Sequence, residues 1–255
     1  MSISSRPVVE SGSRTLAERG FVHVPGVLSP EQVAALRADL DGIAASAPPG
    51  PYGLIVHDVW SRAPVCRALI EEGMPARVAL ELTCEPSLLL FQDLLIDKVP
   101  GASTTLHWHQ DYAYWPLDSS RGVTLWFALD DADEDNGCLR YVPRSHHLGE
   151  RRATDFSGGA MSIDEALPAI DEARCARDGV SMPVRAGDAL AHDPLVWHMS
   201  PANRSNRPRR AWSLTFIVPA ARWDPGHAAH PFLHILQPTA GAPPRGERFP
   251  RIDAE

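Results

Sequence analysis

The sequence predicts a mainly β protein with flanking α-helices, a sandwich or open barrel against which helices pack from outside. Three observations carry this reading. Apolar residues in the first third recur at helical spacing, and the period changes near Ser87. From there on, short apolar runs are bounded by Gly, Pro, Asn and Asp. Runs of helices followed by runs of strands suit a sheet with helices segregated to one face. At 255 residues the chain fits a single domain, 1–255, able to bury a substantial core.

A helical part is expected over about residues 20–85. Ser29-Pro30-Glu31-Gln32 is a helix start, with Ser as N-cap, Pro at the first helical position and Gln three residues after the cap. Val33, Leu36, Leu40 and Ile43 then share one helical face, and Ala47-Pro48-Pro49-Gly50 stops the run. A second helix is expected from Val65 to Glu72, with Gly73 as its stop, and a third from Pro75 to about Cys84.

The β core is expected over about residues 87–220. Its strand candidates are Leu88–Val99, with an irregularity, Val123–Leu129, Leu139–Val142, Asp188–His192 and Trp212–Val218. A polar stretch at about 149–179, with Gly158-Gly159 and no clear period, reads as a lid-like insertion. Residues 221–255, rich in Pro, Gly and His, read as an irregular C-terminal tail.

Composition narrows the function classes. A formal net charge of −8 argues against a general nucleic-acid or anionic-membrane binder. Cys66, Cys84, Cys138 and Cys175 are widely separated, which suits reduced thiols and not a zinc knuckle or disulfide framework. The first twenty residues hold no apolar run and no stretch reaches membrane-helix length, so a cytoplasmic protein is expected.

The chemistry is concentrated in His107-Trp108-His109-Gln110-Asp111. In a strand, His109 and Asp111 lie on one face, where an imidazole and a carboxylate can take adjacent positions on a divalent metal. A distant histidine would complete the two-histidine, one-carboxylate triad that leaves positions open for a cosubstrate and dioxygen. His198 is the candidate, because His198-Met199-Ser200-Pro201-Ala202-Asn203-Arg204-Ser205 leads to Arg209, eleven residues on. There a guanidinium can reach the same cavity and bind the remote carboxylate of 2-oxoglutarate through paired hydrogen bonds, with Ser200 adding another. Either segment alone has a plainer reading: a satisfied structural histidine, or a polar loop with surface arginines.

Together the segments resemble the phytanoyl-CoA dioxygenase family of Fe(II)- and 2-oxoglutarate-dependent oxygenases. The resemblance rests on Pro100-Gly101 leading into Trp108-His109-Gln110-Asp111-Tyr112, on Leu125 to Ala132 followed by Asn136 to Pro143, and on His198-x-Ser200-x-x-Asn203-x-Ser205-x-x-x-Arg209. It covers about Gly20 to Val218. It implies a double-stranded β-helix (jelly-roll, cupin-like) core, with His109, Asp111 and His198 as catalytic iron ligands. It implies that Arg209 and Ser200 bind 2-oxoglutarate, with Trp126 and Leu94 lining that pocket. Lys98 stands where relatives carry a lysine; it is either a cosubstrate contact or a solvated strand-end residue.

The implied reaction is hydroxylation of an unactivated carbon of a small-molecule substrate, such as a natural-product intermediate, consuming dioxygen and releasing succinate and CO2. Alternatives are desaturation, cyclisation or epimerisation on the same fold, a non-catalytic metal-binding cupin-like protein, and a zinc hydrolase, which would not need Arg209. One departure stands out: relatives carry Pro-Gly-Ser-His where this chain has Pro143-Arg144-Ser145-His146. That suggests a different turn, or a role for Arg144 at the pocket mouth. Of the aromatics that follow the iron motif, Tyr112 and Trp115 are the expected substrate-pocket residues ahead of Tyr114. His107 is expected to support the site without binding metal, and His192 is the less favoured distal ligand.

Overall fold

The computed structural model describes residues 6–46, 53–101, 104–156, 164–228, 236 and 238–254. The proposed helix stop at 47–50, the Gly158-Gly159 pair and part of the tail (229–235 and 237) lie outside the described residues.

The chain opens with α1 (Arg6–Arg19), β1 (Phe21–Val24), α2 (Pro30–Ser46), β2 (Leu54–His57), α3 (Pro64–Glu71) and α4 (Met74–Thr83). The α2 cap forms as the sequence suggests: Gln32 N–H donates to Ser29 Oγ at 3.2 Å, and Ser29 N–H donates to Gln32 Oε1 at 2.9 Å. The first third is therefore not wholly helical. Phe21-Val22-His23-Val24 and Leu54-Ile55-Val56-His57 are too short to show a period and become strands because a sheet edge accepts them.

The remaining elements are β3 (Ser87–Lys98), β4 (Leu106–His109), β5 (Gly122–Ala128), β6 (Arg140–Tyr141), α5 (Glu172–Asp178), β7 (Val180–Ser181), β8 (Ala189–His192), β9 (His198–Ser200), β10 (Arg209–Ile217) and β11 (Arg251–Asp253). They form two antiparallel sheets. The larger runs β1-β8-β5-β10-β3-β11, with β2 also on β3, and the smaller runs β4-β9-β6-β7. This is the jelly-roll core that the sequence resemblance implies.

Two apolar layers result. On the outer face of the large sheet, Leu36, Leu40, Cys66 and Leu69 of the helices meet Leu125, Phe127, Trp212 and Leu214. Each such large side chain contributes ~1.5–3 kcal/mol on leaving water. Between the sheets lies a second cluster, including Trp126, Leu139, Tyr141, Leu190 and Ala211. One carboxylate ties the outer layer together: Asp93 accepts from Val59 N–H, Trp60 N–H and Trp212 Nε1 at 3.0, 2.9 and 2.9 Å. Burial pushes its pKa up to about 6.

The expected irregularity in β3 is a register shift: Thr215 pairs with Gln92, but Phe216 pairs with Leu90, leaving Phe91 as the extra residue. Beyond the shift Gln92, Leu94 and Ile96 face between the sheets. The 149–179 stretch carries more regular structure than its sequence suggests, since Cys175 of α5 packs with Val142 and Trp197. Its first part is tied to the His-x-Asp segment. Gln110 Nε2 donates to Gly149 O at 3.1 Å, and Arg151 N–H donates to Gln110 Oε1 at 2.6 Å.

At the Arg144 turn the backbone takes a conformation open to glycine. Arg144 adopts φ 65°, ψ 9°, the left-handed conformation that suits glycine, and its side chain is exposed. An arginine therefore carries backbone strain here. A left-handed non-glycine residue costs ~1–2 kcal/mol, and glycine returns ~0.4–1 kcal/mol of that through a freer unfolded chain. Arg144→Gly is therefore expected to raise the unfolding free energy by about 0.5–1 kcal/mol, read as a higher urea midpoint at unchanged slope. A lower midpoint would contradict this account.

Candidate metal and 2-oxoglutarate site

The site starts from strand pairing. β4 and β9 are antiparallel neighbours in which His109 stands directly opposite His198. Cross-strand partners project to the same face, and the two imidazole centroids lie 4.1 Å apart. Asp111 follows β4 at the start of a 3-10 turn over Tyr112–Tyr114. Its Oδ1 lies 3.4 Å from His198 Nε2 and 4.0 Å from His109 Nε2. One ligand atom from each of the three residues falls within 4.8 Å of the others.

Hydrogen bonding fixes which nitrogens face inward. His109 Nδ1 lies 2.7 Å from His107 O, and His198 Nδ1 lies 3.1 Å from Val196 O. A carbonyl only accepts, so each Nδ1 carries a proton and it is each Nε2 that turns inward. The His107 side chain itself is exposed; its carbonyl does the orienting. Burial pushes His109 down to about 3, which keeps it neutral. Burial also works to raise the Asp111 carboxyl, but His198 and the hydrogen bond from His192 outweigh it and hold Asp111 well below the carboxylate range. Two imidazole Nε2 atoms and an anionic oxygen thus converge. That donor set suits a divalent cation, which displaces any proton held between them.

The other oxygen of Asp111 is occupied. Oδ2 lies 2.7 Å from Thr124 Oγ1 and 3.1 Å from His192 Nε2. His192 is therefore a hydrogen-bond donor to the carboxylate, and it stands outside the cluster of three.

A cavity of about 400 Å³ opens from the triad between the sheets, and Arg209, Ser200, Trp126, Leu94 and Trp115 line it. Arg209 is 1% exposed. Its Nη2 donates to Ser200 Oγ at 3.3 Å, while Nε, Nη1 and the nearby Trp126 Nε1 have no hydrogen-bond partner among the described residues. The guanidinium lies 5.4 Å from the Trp126 ring. Burial lowers its pKa to about 10, so it stays cationic. A buried cation with donors unused is costly unless an anion pairs with it. A carboxylate held in the cavity would supply that partner.

Three expectations shift. Lys98 is buried but does not reach the cavity; Nζ donates to Thr104 O, Ser200 O and Pro201 O at 3.3, 2.9 and 2.5 Å. It braces the β9–β10 loop, neither solvated nor free for a cosubstrate. Gly137 serves the same approach, at φ 87° with the place of a Cβ 2.5 Å from Pro201 O. Tyr112 is turned away: its hydroxyl donates to Leu117 O at 3.0 Å and its ring packs on His227. Tyr114 takes the cavity position, because the 3-10 turn breaks strand alternation after Asp111. Arg144 is exposed and off the cavity.

Residues missed by sequence reasoning include Gln92, Thr215, Thr124 and Phe156. Gln92 shares a strand face with Leu94, and Thr215 shares one with Arg209, so alternation from either would have found them. Phe156, from the insertion, meets His109 edge-on at 5.2 Å and carries no such signal. Its neighbour Thr154 is clamped by Tyr114, whose hydroxyl donates to Thr154 O at 2.8 Å and accepts from Thr154 N–H at 3.0 Å.

Among curated relatives, the chain is 27% identical to mouse phytanoyl-CoA dioxygenase domain-containing protein 1 over 191 residues, 74% of this chain and 63% of that one. It is 32% identical to Arabidopsis thaliana phytanoyl-CoA dioxygenase over 130 residues, 51% and 44% of the two chains. The chain thus spans less than two thirds of the length of these relatives. Among solved structures, the non-heme alpha-ketoglutarate-dependent carbocyclase SnoK from nogalamycin biosynthesis matches over 99% of both chains, with TM-score 0.81 and 26% identity. The epimerase SnoN, solved with Fe3+, alpha-ketoglutarate (2-oxoglutarate) and nogalamycin RO, matches over 96% of this chain and 98% of its own, with TM-score 0.75 and 26% identity. The sequence model of the phytanoyl-CoA dioxygenase (PhyH) family matches residues 16–211. With its paired histidines, carboxylate and buried arginine in one cavity, the chain belongs to the phytanoyl-CoA dioxygenase family.

Proposed function

We propose that the protein is an Fe(II)- and 2-oxoglutarate-dependent oxygenase that hydroxylates an unactivated carbon of an apolar small molecule, releasing succinate and CO2. The observation that carries this is the pairing, in one cavity, of a His–Asp–His cluster with a buried arginine whose Nε and Nη1 have no partner among the described residues. When bound, iron and 2-oxoglutarate with dioxygen supply an oxidant able to break an unactivated C–H bond.

The residues divide the remaining work. His109, Asp111 and His198 would hold the metal at the mouth of the cavity their side chains line, with room beside it for the cosubstrate and dioxygen. Arg209 and Ser200 bind the remote carboxylate of 2-oxoglutarate, with Trp126 Nε1 as a further donor, and so fix its reacting end towards the triad. Leu94, Ile96, Leu106, Trp115 and Phe156 form apolar walls that exclude water and offer contact to a ring-bearing substrate. SnoK and SnoN belong to nogalamycin biosynthesis, which supports a natural-product intermediate as the substrate class. They also support a second reading, in which the same oxidant closes a ring or inverts a carbon centre. The four free cysteines suit a reducing compartment such as the cytoplasm.

Apo-protein is expected to take up one equivalent of iron. His109→Ala, Asp111→Ala and His198→Ala should each lose metal affinity in a titration and abolish succinate release; full activity in any one of them refutes the ligand set. Arg209→Ala is expected to raise the apparent KM for 2-oxoglutarate about 10- to 100-fold, through loss of charge-assisted hydrogen bonds, with metal binding retained. Arg210 faces outward, where it pairs with Asp130 and Asp41; Arg210→Ala should cost stability and leave that KM unchanged. Equal effects on KM would remove the distinction. With labelled dioxygen and excess chloride, mass spectrometry should show one labelled oxygen and no halogen in the product, since Asp111 fills the position a halide would need. A chlorinated product would overturn the assignment.

A further inference from the structure

At one level of the large sheet, four neighbouring strands turn polar side chains to the inner face. Gln92 of β3 pairs with Thr215 of β10, Thr215 with Thr124 of β5, and Thr124 with His192 of β8. The next row on the same face is Leu94, Ser213, Trp126 and Leu190, and the one beyond holds Ile96, Ala211 and Ala128. The polar row is therefore a local feature set at the height of Asp111.

Its hydrogen bonds have a direction. Asp111 is ionised and only accepts, so Thr124 Oγ1 donates to Oδ2 at 2.7 Å and His192 Nε2 donates to the same oxygen at 3.1 Å. With its proton on Nε2, His192 accepts at Nδ1 from Tyr141 O–H at 3.0 Å. Tyr141 comes from the small sheet and is stacked on Phe21 at 4.5 Å, so the imidazole is held from both sheets. Behind Thr124 come longer links: Thr215 Oγ1 at 3.5 Å, then Gln92 Nε2 at 3.5 Å from Thr215. Two donors thus converge on one carboxylate oxygen, while Oδ1 faces the Nε2 atoms of His109 and His198.

We infer that Thr124 and His192 are positioning residues that hold Asp111 to one-oxygen metal ligation. A carboxylate free to rotate can close on a cation with both oxygens, which takes a coordination position from the cosubstrate or dioxygen. With Oδ2 bound to two donors, that motion requires both hydrogen bonds to break. The row sets which oxygen ligates and keeps the opposite side of the metal open. The inference rests on the metal centre proposed above.

The test uses Ni(II), a redox-stable probe, titrated calorimetrically into apo-protein. Thr124→Val removes the donor at constant volume and is expected to weaken binding about 10- to 100-fold, the range typical of groups that orient metal ligands. Thr124→Ser restores the hydroxyl and should bind like wild type, with both variants unfolding cooperatively. In the Thr124→Val/His192→Leu double variant the second oxygen is released. There, 2-oxoglutarate should bind the metal-loaded protein more weakly, with Arg209 untouched. Wild-type binding with Thr124→Val equally tight overturns the inference and leaves the metal centre standing. Thr124→Ser as weak as Thr124→Val also overturns it, because packing and not the hydroxyl would then be the cause. Failure of wild type itself to bind Ni(II) removes the metal centre, a result distinct from both.

Discussion

The antiparallel pairing of β4 with β9 is the constraint from which the site follows. It sets His109 opposite His198, and the backbone carbonyls of His107 in β4 and of Val196 just before β9 accept from the outer imidazole N–H groups. The geometry of the inner nitrogens is thus a property of backbone pairing, which costs nothing further in side-chain ordering. Asp111 then needs only the first step of a turn to reach them. Everything else supports that placement: the large sheet supplies the wall that Asp111 leans on, and the helices keep that wall dry from behind.

The two ends of the cavity are charged in opposite senses. The triad gathers imidazole nitrogens and a carboxylate, while Arg209 presents a cation with donors to spare. Each end alone is an unfavourable concentration of charge in a poorly solvated space. On the proposed function, a dicarboxylate with a metal would relieve both at once, since it would carry negative charge to the arginine and the metal would bring the cation that the triad lacks.

What the sequence made legible was the part fixed by spacing. His109 and Asp111 two apart, and His198 eleven before Arg209, survive any detail of packing, and the long apolar strands announce themselves by period and composition. What it hid depended on partners far along the chain. Thr124 and His192 are ordinary strand residues until Asp111 is placed beside them. Lys98 reads as a strand-end charge because nothing local reveals three carbonyls waiting for it. Tyr112 and Tyr114 were exchanged because a single 3-10 turn overrides alternation, and β1 and β2 were hidden because four residues are too few to show a period. Arg144 shows the converse: its unusual identity suggested a new turn, yet the surrounding chain imposes the backbone that glycine would take.

The extra residue in β3 separates two parts of the molecule. Phe91 sits in neither alternating series; its ring instead meets Trp115, Trp223 and Phe249 at 5.9, 6.0 and 6.2 Å. Because the shift already brings Gln92 opposite Thr215 and Leu90 opposite Phe216, a chain one residue shorter here pairs in regular order and keeps every cavity-facing row. What it loses is the aromatic plug under the C-terminal tail. A single-residue deletion at this point would therefore leave the sheet rows that face the triad in register, and would loosen the tail together with the Trp115 wall that Phe91 backs.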